Sequence, residues 1–361
     1  MADHTHIEWT DATWNPITGC SVVSPGCTNC YAMRLAGTRL RHHPSRAGLT
    51  TNTKAGPVWT GEVRLNRGWL DQPLRWKKPR RIFVCAHGDL FHESVPDAWI
   101  DQVFATITLA HQHIFQVLTK RSARQRKYMS DPATPGRIAR VIVDLWLAGH
   151  VKPDEHWPVI TIGHPEDPDD LTISWPRPNV WAGVSVEDQT RADERILDVL
   201  ETPAAVRWIS AEPLLRELHI GWALSRNRLE IGAGFLRRGR FSPGLETLRP
   251  IDWVVVGGES GPGARPMHPD WARQVRDQCA DAGVPFLFKQ WGEWTPGENV
   301  ECQRGSVETA DWFDEGWLFS EENLARTDGH IDDEPDLYRV GKRAAGRRLD
   351  GVIHDAMPGA I

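Results

Sequence analysis

Apolar residues along this chain fall into short unbroken runs separated by amphipathic stretches. The runs lie in RIFVCAHGDLF (81–91), HIFQVLTKR (113–121), NVWAGVSVED (179–188), VRWISAEPLL (206–215), IDWVVVGGESG (251–261) and VPFLFKQWG (284–292). Each closes on polar or glycine residues. Helical periodicity fills intervals between them, as in PDAWIDQVFATITLAHQ, QTRADERILDVLET and PDWARQVRDQCADAG. Unbroken apolar strands alternating with amphipathic helices predict a parallel sheet covered by helices. A further strand near HIEWTDATWNP brings the total to about six to seven βα units. The expected fold is therefore α/β, a full or partial (β/α) barrel. Its chemistry belongs at the carboxyl ends of the strands.

Two segments break the rhythm. Residues 131–175 hold a predicted helix, GRIARVIVDLWLAGH, and a Pro/Asp-rich loop, HPEDPDDL; residues 222–250 include SRNRLEIGAGFLRRGRFSPG. Both read as insertions in a barrel spanning 1–294, each a candidate lid or substrate platform. Residues 295–361 read as a polar extension packed on that barrel.

The strand ends are polar in sequence order: His87 and Asp89, Thr119 to Arg121, Ser185 and Glu187, Ser210 and Glu212, Glu259 and Ser260, Lys289 and Gln290. Together they predict a polar cavity. Lys120, Arg121 and Lys289 would either grip an anion there or pair with Glu212 or Glu259. Tyr31 is expected to pack beside the neighbouring cysteines.

Composition changes the picture little: 40% hydrophobic and 25% charged residues describe a globular chain. No apolar run approaches the ~20 residues that span a bilayer, and MADHTHIEWT lacks the pattern of a signal peptide. A cytoplasmic location with reduced thiols is expected. Charge is uneven. Residues 1–130 carry 17 Lys and Arg against 9 Asp and Glu, while the remainder carries 25 against 39. The net −6 argues against a protein that coats nucleic acid indiscriminately. Local basic clusters, RLRHH, RWKKPRR and TKRSARQRK, still suit a phosphate backbone, which makes Lys77, Lys78, Arg80, Arg81, Lys120 and Arg121 candidate nucleic-acid contacts. Some of the 18 tryptophans could stack on bases.

The most specific signal is GCSVVSPGCTNCYA, which places Cys20, Cys27 and Cys30 in a C-x6-C-x2-C pattern. No second C-x2-C pair exists to complete a zinc ribbon, although His42 or His43 could supply a fourth zinc ligand. An odd count of thiols in a reducing compartment speaks against disulfides. Three close thiolates with no fourth suit a 4Fe–4S cluster with one open iron, so iron–sulfur, zinc and no metal remain the alternatives, in that order. Cys85, Cys279 and Cys302 lie far apart and read as incidental thiols.

Several stretches carry a resemblance: EWTDATWNPITGCSVVSPGCTNCYAMRLA, FVCAHGDLFHESVP, LTKR, GVSVEDQ, ISAEPLL, GGESGPGARPM, FKQWGEW and VGKRAAGRRLDG. Together they resemble the phage-encoded three-cysteine-motif family, a divergent branch of the radical S-adenosylmethionine enzymes. GVSVED also has a short likeness to spore photoproduct lyases, radical enzymes that repair thymine lesions in DNA. The usual radical-enzyme spacing of C-x3-C-x2-C is exceeded here by three residues before the second cysteine.

The resemblance implies a radical-enzyme barrel with Cys20, Cys27 and Cys30 on a 4Fe–4S cluster. S-adenosylmethionine would occupy the open iron and yield a 5′-deoxyadenosyl radical, with an outside reductant as electron donor. It further implies cofactor contacts from Asp89, Ser185, Glu187, Glu212, Gly257, Gly258 and Glu259. The expected function is modification or repair of a nucleic acid or nucleotide. The alternatives are a zinc-stabilised nucleic-acid-binding accessory protein without catalysis, and a radical enzyme acting on a peptide or small metabolite.

Overall fold

The computed structural model describes residues 5, 7–153, 158, 160–164, 167–240, 248–300, 305–323 and 336–359. Cys302 and parts of both insertions lie outside these residues. Among the described residues, seven parallel strands form the main sheet: β1 (Ala12–Trp14), β2 (Arg81–Val84), β3 (Ile114–Thr119), β4 (Val180–Val186), β5 (Val206–Ala211), β6 (Trp253–Gly257) and β7 (Phe286–Gln290). Their spatial order is their chain order, with β1 and β7 left as edges, so the sheet is a curled half-barrel and not a closed one.

Alternation along the strands sorts side chains to two faces. On β4, Val180, Ala182, Val184 and Val186 point outward into the apolar layer shared with the helices, whereas Trp181 belongs to a separate inner cluster. That inner cluster joins Trp9, Trp181, Trp208, Trp253, Val255 and Leu287. Trp9 crosses the hollow of the sheet, its ring centroid 4.8 Å from Phe83 and 5.2 Å from Trp208. Most strand residues are buried on both faces, which explains the unbroken apolar runs. Gly183 pairs with Trp208 across β4 and β5, and a Cβ there would stand 2.3 Å from the Trp208 ring. The indole needs that space.

Helices cover the outer face. Between β2 and β3 lies α1 (Asp97–Leu109), and β3 is followed by α2 (Ser122–Ser130) and α3 (Thr134–Leu147). α4 (Gln189–Glu201) joins β4 to β5, and α5 (Pro269–Ala282) joins β6 to β7. The first insertion forms α3 and an antiparallel pair, Ile160–His164 with Asp167–Ile173, whose Leu171 and Ile173 pack against the outer core. The second holds the helix Arg228–Arg237, with Ile231 and Phe235 buried in that core. Helical periods in these insertions thus extend the outer layer.

Beyond β7, the strands Trp294–Thr295, Leu337–Arg339, Ser306–Phe313 and Gly316–Asn323 form a small antiparallel sheet in that order. The chain then returns to the main sheet: Phe288 N–H donates to the His354 carbonyl at 3.0 Å, and Trp253 Nε1 to the Ala356 carbonyl at 2.9 Å. No helix among the described residues is long and apolar enough to cross a membrane.

Candidate active site

At the carboxyl ends of the strands the sheet encloses a cavity of about 460 Å3. The loop after β1 carries Cys20, Cys27 and Cys30 to its wall, and the same cavity meets Asp89, Thr119 to Arg121, Ser185, Ser210, Glu212, Gly258 to Ser260, Lys289 and Gln290. Trp9, Tyr31, Trp59 and Phe83 form its aromatic side. Among the described residues of 131–175 and 222–250 none lines this cavity.

Two buried carboxylates fasten the cysteine loop. Glu187, fully buried, accepts from Gly26 N–H at 3.3 Å, Lys120 Nζ at 3.1 Å and Arg195 Nη1 at 3.0 Å. Arg195 reaches it because α4 begins just beyond Glu187, two helical turns away. Burial pushes the Glu187 carboxyl up, but Lys120 and Arg195 outweigh it and hold the group below the usual carboxylate range. Glu259 accepts from Arg265 Nη2 at 2.6 Å and from Asn29 Nδ2 at 2.7 Å, while Arg265 Nη2 also donates to the Pro25 carbonyl at 3.0 Å. Its carboxyl too is lowered against the effect of burial, through Arg265 and Asn29. One carboxylate therefore holds the backbone ahead of Cys27, and the other holds the turn between Cys27 and Cys30.

Asp89 accepts from Thr119 Oγ1 (2.7 Å), Phe91 N–H (3.0 Å), Lys120 N–H (3.2 Å) and Arg121 Nη1 (3.3 Å). Arg121 Nη1 also lies 3.3 Å from Cys20 Sγ. Across the cavity Glu212 pairs with Lys289 at 2.8 Å, as the sequence allowed. It reaches over β6 because a Cβ on Gly257 would sit 2.7 Å from its Oε1. Ser185 Oγ accepts from Lys120 Nζ at 2.7 Å and donates to the Glu212 carbonyl at 3.2 Å.

The residues expected to touch a cofactor thus divide. Asp89, Ser185, Glu212, Gly258 and Glu259 line the cavity; Glu187 and Gly257 stand behind its wall. Lys120 and Arg121, expected to meet phosphates, are tied to Glu187 and Asp89. Lys77, Lys78, Arg80 and Arg81 lie at the amino end of β2, away from the cavity; there Arg81 pairs with Asp11 at 3.2 Å and Arg80 sits over the Trp76 ring. Asn29, Arg195 and Arg265 were missed. Asn29 could have been found from its place between two cysteines, but nothing in the sequence pairs Arg195 or Arg265 with its carboxylate.

The cysteine thiols are free, and Cys85 and Cys279 are buried thiols elsewhere in the wall and helix layer. Burial pushes Cys20 up to about 12 and raises Cys30 as well. Among the described residues no three or more His, Cys, Asp or Glu side chains are gathered to hold a metal ion. His43 is engaged with Ser45 at 2.6 Å, and neither it nor His42 lines the cavity. The donor set still suits iron–sulfur chemistry. Three soft sulfurs face one cavity, and a cubane places its thiolates on separate irons instead of around one ion.

Fold and site define a half-barrel α/β protein with a cysteine loop at its carboxyl-end cavity. The chain belongs to the family described as "Protein of unknown function (DUF5131)", which matches residues 4–358. No curated protein matches it. Among solved structures it is similar to "Spore photoproduct lyase complexed with dinucleoside spore photoproduct", with 11% identity and a TM-score of 0.32. That match covers 73% of this chain and 58% of the other.

Proposed function

We propose that this protein is an iron–sulfur enzyme of the radical S-adenosylmethionine type that acts on a nucleic acid or nucleotide. The observation that carries the reading is the convergence of three free thiols, on a loop fastened by two buried carboxylates, with the polar strand ends at one cavity. The likeness of the cysteine loop and the strand-end motifs to the phage three-cysteine family supports it. When bound, the cluster and S-adenosylmethionine would supply one-electron cleavage to a 5′-deoxyadenosyl radical.

The chain's own residues would do the rest. Cys20, Cys27 and Cys30 hold the cluster as thiolates, and Glu187 and Glu259 keep the loop in shape. Ser185, Glu212 and Gly258 offer polar and close-approach contacts to the cofactor from the opposite wall. Trp59 and Phe83 exclude water and give a base or ring an aromatic surface, with Trp9 packed behind Phe83. An outside reductant is the implied partner.

The test is purification without oxygen, followed by metal and sulfide analysis. The expected result is a brown protein with about four irons per chain, lost in a Cys20/Cys27/Cys30→Ala triple variant. A colourless protein with one zinc would support a non-catalytic accessory role and overturn the reading.

A further inference from the structure

Arg121 reads in sequence as a phosphate contact, yet its side chain is only 5% exposed. It leaves the carboxyl end of β3 and spends its donors within the protein. Nη2 donates to Ser21 Oγ at 2.7 Å and to the Ser21 carbonyl at 3.1 Å, and Nε lies 3.4 Å from Glu93 Oε1. Nη1 is shared between Asp89 Oδ2 and Cys20 Sγ, each at 3.3 Å. With Asp89 and Glu93 both in reach, the guanidinium has no need of a sulfur to balance its charge. A neutral thiol is a weak acceptor, whereas a thiolate is a strong one for a charged donor.

The three cysteines differ in this respect. Cys27 Sγ has the Ser24 hydroxyl at 3.9 Å, and Cys30 receives backbone N–H groups of Ala32 and Met33. A side-chain cation reaches Cys20.

We propose that Arg121 is a positioning residue that donates a charge-assisted hydrogen bond to the Cys20 thiolate and thereby raises the reduction potential of the cluster. This rests on the proposed function. One-electron reduction adds negative charge to the cluster and its thiolates, so a cation bonded to one sulfur stabilises the reduced form more than the oxidised form. Asp89 and Glu93 fix the direction of the fork.

The experiment measures the midpoint potential of the reconstituted cluster by electron paramagnetic resonance at a series of poised potentials. The variants are Arg121→Gln, Arg121→Lys and, as a control, Ser21→Ala. Arg121→Gln is expected to lower the reduced-to-oxidised ratio about tenfold at the wild-type midpoint, a shift of ~59 mV to more negative potential for one electron. Arg121→Lys, which keeps charge beside Asp89 and Glu93 and so protects the fold, is expected to shift in the same direction by less. Ser21→Ala should stay at the wild-type value. Clusters in both Arg121 variants with wild-type midpoints would overturn this proposal while leaving the proposed function standing, as would a Ser21→Ala shift as large as that of Arg121→Gln. A wild-type protein that binds no iron would overturn the proposed function, and this inference with it.

Discussion

Glu187→Gln tests the buried clasp most directly. The carboxylate is fully buried and faces two cations whose side chains are themselves little exposed, Lys120 at 16% and Arg195 at 6%. Gln keeps the shape and an acceptor for Gly26 but removes the charge both cations depend on. Breaking a buried pair by deleting one partner costs about 3–5 kcal/mol. Here the lower end applies, because Lys120 keeps Ser185 Oγ and Arg195 keeps the Ser185 carbonyl at 2.7 Å. The expected loss is about 3 kcal/mol in urea unfolding of the metal-free protein, with an unchanged slope. Adding Lys120→Met should recover part of it, since one orphaned cation goes. Cys27 should also alkylate faster under native conditions, because Gly26 loses its charged anchor, whereas Cys279 in α5 should not change. The folded carboxyl lies below its unfolded value, so its contribution is complete above the ordinary carboxylate range and fades as pH falls through the lowered value. The variant should lack that acid-side loss. A urea midpoint within error of wild type, with Cys27 no more reactive, would refute the clasp.

Gly183→Ala should cost about 1–3 kcal/mol in the same unfolding assay, and Trp208→Leu in the same chain should recover part of it, because the new methyl meets the indole. Burial, with Arg46 adding to it, pushes His87 down to about 4. Its neutral form is favoured by folding, so stability is full above the unfolded value near 6.5 and falls towards pH 4, by at most about 3 kcal/mol; His87→Asn should flatten that limb of a stability–pH curve. Reversing charge at exposed Lys77 and Lys78 should reduce the salt slope of DNA or RNA binding by about two while leaving iron content unchanged. A slope that ignores both substitutions would remove the amino-end cluster from nucleic-acid recognition.

The strands were legible because a parallel sheet covered on its outer face and filled on its inner face demands apolar side chains at nearly every position. That is why WVVVG and VWAGVSV stand out in the sequence. The polar ends were legible for the complementary reason, since nothing in the outer layer uses Ser185 or Glu212. Partners were not. Lys120 and Glu187 are far apart in the chain, and only the lateral order of β3 and β4 makes them neighbours. The position of RWKKPRR could have been read: it precedes a parallel strand, and that end is opposite the site. Residue type suggested phosphate binding, while strand polarity argued against a place in the cavity.

Partner choice also bears on what the cavity can select. Asp89 faces Arg121, Glu187 faces Lys120 and Arg195, Glu212 faces Lys289, and Glu259 faces Arg265. The ring of strand ends is therefore made of acids and bases that satisfy one another. Such a wall offers directed hydrogen bonds and little net field. A phosphate entering it would have to displace a carboxylate from its cation at the cost of leaving that carboxylate buried and unpaired. For the nucleic-acid or nucleotide substrate proposed above, a charged backbone would be better accommodated outside the ring, with only a neutral, ring-bearing part admitted beside Phe83. Discrimination inside the cavity then follows from hydrogen-bond pattern and shape. On that proposal, affinity for a polyanion would come from cations elsewhere, which is where salt dependence and charge reversal should register.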